Sequence, residues 1–105
     1  MLNMKGNMWA GKVVVITGVC GTVGSELLNI VSAKGPREIV GLDNNESALF
    51  FLQQEYQLHN NVRLYMSDIR DLSALERRIS GADIVLHAAA LKHVILNEHS
   101  PNEAV

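Results

Sequence analysis

An α/β domain built on a doubly wound parallel sheet, with strand order 3-2-1-4, is the fold predicted for this chain of 105 residues. Three observations predict it. Four short runs rich in Val, Ile and Leu recur along the chain and are mostly apolar on both sides, as strands of a sheet covered on both faces are. Stretches with helical spacing lie between them, so strands and helices alternate and right-handed crossovers follow. Glycine-bearing stops separate the two kinds of segment.

The first strand is read over Lys12–Thr17. The helix after it is read over 22–34, with Val23, Leu27, Ile30 and Val31 as its apolar stripe. Gly35-Pro36 ends that helix, since Gly supplies a left-handed cap and Pro cannot continue the ladder. Glu38–Asp43 is the second strand, and 46–58 the second helix, with Leu49, Leu52 and Tyr56 inward. Asn60-Asn61 marks a turn before the third strand, Val62–Met66. A third helix over Leu72–Ile79 is capped by Asp71 and closed by Gly81. The fourth strand is 83–88.

Ser100-Pro101-Asn102-Glu103 then reads as a helix start: Ser at the N-cap, Pro at the first helical position, Glu at the third. Only Ala104 and Val105 follow, too little for a stable helix. The stretch 84–90 would also leave an aliphatic sheet edge without protective charge. The expectation is an N-terminal extension over 1–10, followed over 11–105 by the N-terminal part of the α/β domain of a longer protein.

Composition narrows the function. With 48% hydrophobic and 19% charged residues, the chain is globular with one core. The net charge of −2, without a basic stripe, gives no footing for nucleic acid. The apolar runs are too short to cross a bilayer, and Met1–Ala10 lacks a signal-peptide core, so no membrane contact is expected from this segment. The single Cys20 suits a reducing cytoplasm. His59, His87, His93 and His99 show no metal-ligand spacing, and no metal is expected.

The most informative stretch is Thr17-Gly18-Val19-Cys20-Gly21-Thr22-Val23-Gly24, between the first strand and the first helix. The first N–H groups of a helix lack intrahelical partners, and the helix dipole puts partial positive charge there. A diphosphate can accept those bonds if no Cβ blocks it. Gly18 gives the tight turn, Gly21 the close approach, and Gly24 the packing of helix on strand. Thr17, Cys20, Thr22 and Val23 join the cofactor contacts. Cys20 sits near a helix N-terminus, which can lower a thiol pKa; its expected role is to fill the turn.

Asp43 ends the second strand, about 25 residues after Gly18, near the spacing at which an acid binds the adenosine ribose. A carboxylate there accepts from both ribose hydroxyls and repels a 2′-phosphate, which favours NAD over NADP. Asn44 joins it in the site, and either can cap the following helix. Asp68 is placed against the adenine amino group and the Ile69 backbone against the ring. Ala88, Ala89 and Ala90 let the backbone approach the diphosphate and ribose at the carboxyl edge of the sheet. Lys92 is placed near the nicotinamide as an active-site contact, His93 as structural, and His87 as a satisfied core histidine.

Thr17-Gly18-x-x-Gly21-x-x-Gly24 resembles the fingerprint of extended short-chain dehydrogenases/reductases, whose fold is the NAD(P)-binding Rossmann type. His87-Ala88-Ala89-Ala90-Leu91-Lys92-His93-Val94, followed by Ser100-Pro101-Asn102-Glu103-Ala104-Val105, is similar to one subgroup, the polysaccharide-biosynthesis nucleotide-sugar 4,6-dehydratases. Leu42-Asp43 with Glu46-Ser47-Ala48-Leu49 resembles its longer, often membrane-anchored members. Ile95 stands where that family commonly has Pro, and Cys20 replaces a smaller residue.

The resemblance implies NAD as cofactor, a UDP-sugar such as UDP-N-acetylglucosamine as substrate, a homo-oligomeric full-length protein, and a cytoplasmic domain. It implies hydride removal from sugar C4, loss of water across C5–C6, and hydride return to C6. The family's Tyr-x-x-x-Lys pair is expected beyond Val105, so this chain supplies cofactor binding. A 4-epimerase, a 4-reductase and a non-catalytic NAD(P) sensor share the same N-terminal half.

Overall fold

The computed structural model describes residues 8–68 and 70–88. Along the chain run β1 (Val13–Thr17), α1 (Thr22–Ser32), β2 (Glu38–Asp43), α2 (Glu46–Glu55), β3 (Val62–Met66), α3 (Leu72–Ile79) and β4 (Ile84–His87). The strands form one parallel sheet in the order β3-β2-β1-β4, as the sequence predicts.

Alternation along each strand sorts the apolar residues onto two faces. Val14, Ile16 and Ile39 meet Leu28 and Val31 of α1 and Leu49, Leu52 and Tyr56 of α2. Val15, Val40 and Leu42 face the other way, where Leu75 and Ile79 of α3 pack with Tyr65 and Val85. Two helices on one face and one on the other make the sheet doubly wound. Val14, Val15, Ile16, Leu28 and Ile39 are fully enclosed, each contributing about 1.5–3 kcal/mol of transfer free energy.

α1 is rotated from its predicted stripe. Leu28 and Val31 are buried and Leu27 is partly buried, whereas Val23 and Ile30 are 47% and 45% exposed. Gly24 sets the rotation. A Cβ there would stand 2.0 Å from the Gly18 carbonyl oxygen and 2.8 Å from Val19 Cα. The helix therefore lays Gly24, Leu28 and Val31 inward, one position round from the expected face.

Element ends shift for local reasons. α1 stops at Ser32 rather than at residue 34 because the Ala33 and Lys34 N–H groups tighten onto the Ile30 and Val31 carbonyls; Gly35, at φ 73°, then turns the chain. α2 stops at Glu55 rather than at residue 58, where Tyr56 leaves helical geometry at φ −108° and ψ 20°. The flanks of β1 and β4 are each shorter than predicted. Asp83 precedes β4 and uses its carboxylate to accept from the Val13 N–H at 2.8 Å. The helix read at Ser100 lies outside the described residues.

Thr17 pairs with both Leu42 and His87, and Asp43 pairs with Met66. The carboxyl ends of all four strands thus share one rim, and the loops leaving it carry the candidate site.

Candidate functional site

The β1–α1 turn is bound down onto β2. The N–H groups of Gly18 and Val19 both donate to the Leu42 carbonyl, at 2.8 and 3.1 Å. Gly18 takes φ 70°, open to glycine at little cost. The Gly21 N–H donates back to the Gly18 carbonyl at 3.1 Å, and the Ser25 N–H to the Gly21 carbonyl at 2.8 Å, opening α1. Gly21 is the N-cap and has no side chain to close the helix end. A Cβ at Gly21 would meet only the Gly18 carbonyl, at 3.5 Å, so its outer side is clear for a ligand. Gly24 has no such room. The three predicted glycine roles separate accordingly, with Gly24 packed on the turn backbone itself.

Gly41 is a participant that the sequence reading passed over. A Cβ there would stand 2.6 Å from Leu64 Cδ2 and 2.9 Å from Val19 Cγ2. Its bare backbone lets Val19 seat the turn on β2. The signal was available: a glycine inside an aliphatic strand marks close approach.

Asp43 projects from the end of β2 into this turn. Its Oδ2 accepts from the Cys20 N–H at 2.9 Å, and its Oδ1 from the Asn45 N–H at 3.0 Å. Each oxygen keeps a further lone pair for a ligand hydroxyl. The cap of α2 is neither Asp43 nor Asn44 but Asn45, whose side chain accepts from the Ala48 N–H at 3.1 Å. Asn44 is exposed beside it.

Cys20 packs in the turn as expected, but its thiol is shifted up rather than down. Burial, and then the charge and hydrogen bond of Asp43, push its thiol up to about 11. Burial and the adjoining carboxylate together keep the thiol protonated at neutral pH. Thr17 is fully buried, and its Oγ1 lies 3.3 Å from His87 Nδ1. His87 is exposed rather than a core residue, because it ends β4 at the rim.

Asp68 is paired. Arg70 donates through Nη2 at 2.6 Å and through Nε at 3.0 and 3.1 Å, and its backbone N–H adds a bond at 2.9 Å. The side-chain bonds and then the backbone bond hold the carboxyl down at about 2. Asp71 caps α3 as predicted, accepting from the Ala74 N–H at 3.2 Å. Ala88 is buried at the end of β4. Ile69, Ala89, Ala90, Lys92 and His93 lie outside the described residues. The structure thus brings together Thr17, Gly18, Cys20, Gly21, Asp43 and the start of α1, and sets Asp68 further along the rim. Among the described residues, no helix is long and apolar enough to cross a membrane.

A parallel α/β sheet with a glycine turn bound onto its second strand is a Rossmann-type architecture. Residues 14–105 match the family described as polysaccharide biosynthesis protein, and the chain belongs to that family. It is 41% identical over 99 residues to an uncharacterized membrane protein of Methanocaldococcus jannaschii, covering 94% of this chain and 29% of that protein. It is 30% identical over 99 residues to the inverting UDP-N-acetylglucosamine 4,6-dehydratase of Campylobacter jejuni, covering 93% and 29%. Among solved structures, Pen from Bacillus thuringiensis matches at TM-score 0.77 and 34% identity, covering 93% of this chain and 30% of that one. WbmF of Bordetella bronchiseptica, in complex with NAD+ and UDP, matches at TM-score 0.62 and 27% identity, covering 77% and 24%. The chain spans less than a third of the length of these relatives.

Proposed function

We propose that this chain is the NAD-binding portion of a nucleotide-sugar 4,6-dehydratase acting on UDP-N-acetylglucosamine or a related UDP-sugar in surface-polysaccharide synthesis. The observation that carries the reading is the open end of α1: a helix N-terminus with no side-chain cap, reached through a glycine turn and flanked by a carboxylate.

The residues fit the cofactor. Gly21 leaves the helix end clear for a diphosphate, and α1 offers its first N–H groups to the anion. Thr17, Gly18, Cys20, Thr22, Val23 and Gly24 shape that cradle. Asp43, fixed by the Cys20 and Asn45 N–H groups, turns its remaining lone pairs to the adenosine ribose, with Asn44 beside it. A carboxylate held there repels a 2′-phosphate, the reason for choosing NAD over NADP. Asp68 with Ile69 serves the adenine end, Ala88 to Ala90 the diphosphate and ribose, and Lys92 an oxygen near the reacting carbon. When bound, the nicotinamide accepts and returns the hydride. The Campylobacter relative's name supports the reaction and sugar, and the WbmF complex supports the cofactor and UDP. A cytoplasmic location fits the lone Cys20 thiol, including as the cytoplasmic part of a membrane-anchored protein.

The test is to incubate the full-length protein, catalytic half included, with UDP-N-acetylglucosamine and catalytic NAD+ and to follow the product by NMR. The proposal predicts a 4-keto-6-deoxy sugar nucleotide with no net NADH. A C4 epimer, or turnover that consumes cofactor stoichiometrically, contradicts it.

A further inference from the structure

We infer that Asn45 is a positioning residue of the cofactor site: by closing α2 with its own side chain, it leaves the Asp43 carboxylate at the β1–α1 turn to set the preference for NAD over NADP. The inference rests on the proposed reading of Asp43 as the ribose ligand and adds a residue that acts through it.

Asp43 stands between two helix starts. Its Oδ2 accepts from the Cys20 N–H at 2.9 Å, on the side of α1, and its Oδ1 from the Asn45 N–H at 3.0 Å, at the start of α2. Both starts attract an acceptor, because the first N–H groups of a helix have no intrahelical partner and carry partial positive charge. A charged acceptor makes the stronger bond. A carboxylate is therefore the acceptor that an uncapped α2 would draw in.

Asn45 removes that demand. Its backbone is extended, at φ −98° and ψ 98°, as that of an N-cap residue is. Its Oδ1 accepts from the Ala48 N–H at 3.1 Å and from the Ser47 hydroxyl at 3.3 Å. Without that side chain, both donors turn to Asp43, whose carboxylate is already bonded to the Asn45 N–H. Oδ1 then moves towards α2, and Oδ2 leaves the Cys20 N–H. The carboxylate withdraws from the ribose hydroxyls, and the charge that repels a 2′-phosphate goes with it. Cys20 reports where the carboxylate stands. Burial, and then the charge and hydrogen bond of Asp43, hold its thiol up at about 11. Withdrawal of Asp43 leaves burial alone to hold it.

The experiment uses the full-length protein, native and as Asn45→Ala, Asn45→Gly and Asn45→Ser. Each is melted, titrated with NADH and NADPH, and alkylated at pH 8 without cofactor, with Cys20 followed by mass spectrometry of its peptide. Glycine at an N-cap costs little stability but offers no side-chain acceptor, whereas serine restores one. Asn45→Ala and Asn45→Gly should lose NADH affinity roughly tenfold, narrow the preference over NADPH about threefold, and alkylate Cys20 about threefold faster. Asn45→Gly should do so with a melt close to native, and Asn45→Ser should match the native protein throughout. A native cofactor preference with a native alkylation rate in Asn45→Gly overturns the inference, whatever the melt. So does an Asn45→Ser protein that behaves like Asn45→Ala. Failure of the native protein to bind NADH overturns the cofactor reading instead, and the alkylation rates then still decide whether Asn45 holds Asp43 in place.

Discussion

Among the described residues, three helices start from one rim of the sheet, and they start differently. α2 and α3 close their own ends, Asn45 accepting from the Ala48 N–H and Asp71 from the Ala74 N–H. α1 begins at Gly21, with no side chain to accept from its first turn. Capping contributes about 1 kcal/mol per helix, so α1 forgoes stabilisation that its neighbours keep. The region that forgoes it is also the one most firmly anchored elsewhere, by two N–H bonds to the Leu42 carbonyl and one to Asp43. A rigid turn with an open helix end suits an incoming anion, whereas a self-capped helix end is closed to one.

The comparison can be broken most forcefully at Gly24. Gly24→Ala forces a Cβ into the Gly18 carbonyl, which is backbone and cannot step aside. A loss near 3 kcal/mol, the upper end of ordinary overpacking, is expected in chemical denaturation, together with loss of NADH binding. Asp43→Ala is next. It should weaken NADH by roughly 10- to 100-fold and narrow the preference over NADPH, measured by fluorescence titration.

Gly21→Ala sharpens the contrast with Gly24. The site has room for the methyl group, so stability should fall by no more than about 1 kcal/mol, the N-cap preference for Gly over Ala, while NADH affinity falls roughly tenfold. Asp71→Ala should do the reverse, removing about 1 kcal/mol of stability with NADH affinity intact.

The smallest effect concerns Cys20. Folding raises its thiol from 9.0 to about 11, so its contribution to stability is full below pH 9 and is lost as pH climbs towards 11. At pH 8 the folded chain should carry on the order of 100-fold less thiolate than an unfolded one, and alkylation should be slow to match. Fast alkylation at pH 8 would show that burial and Asp43 do not hold the thiol up.

Strand order, the positions of β2, β3 and α3, and the Asp71 cap were all legible, because aliphatic runs, glycine stops and a capping aspartate are local signals. The face of α1 was not. Val23, Leu27 and Ile30 compete with Leu28 for the inward face, Val31 being common to both, and periodicity cannot choose between them. A tertiary contact, Gly24 on Gly18, makes the choice. The pairing of Asp68 with Arg70 was hidden for a related reason: residues two apart meet only when a turn folds them together, and the sequence does not state that turn. The direction of the Cys20 shift was hidden because it depends on burial and on a carboxylate that folding brings to it from 23 residues away.

The most direct test of the open helix end is an amide NMR titration of the full chain with NAD+. The account predicts the largest shifts at Gly18 and over Gly21 to Ser25, with Asp43 and Asn45 following and the first turn of α2 undisturbed. Saturable shifts centred on the capped starts of α2 or α3, or no shifts at millimolar NAD+, would contradict it.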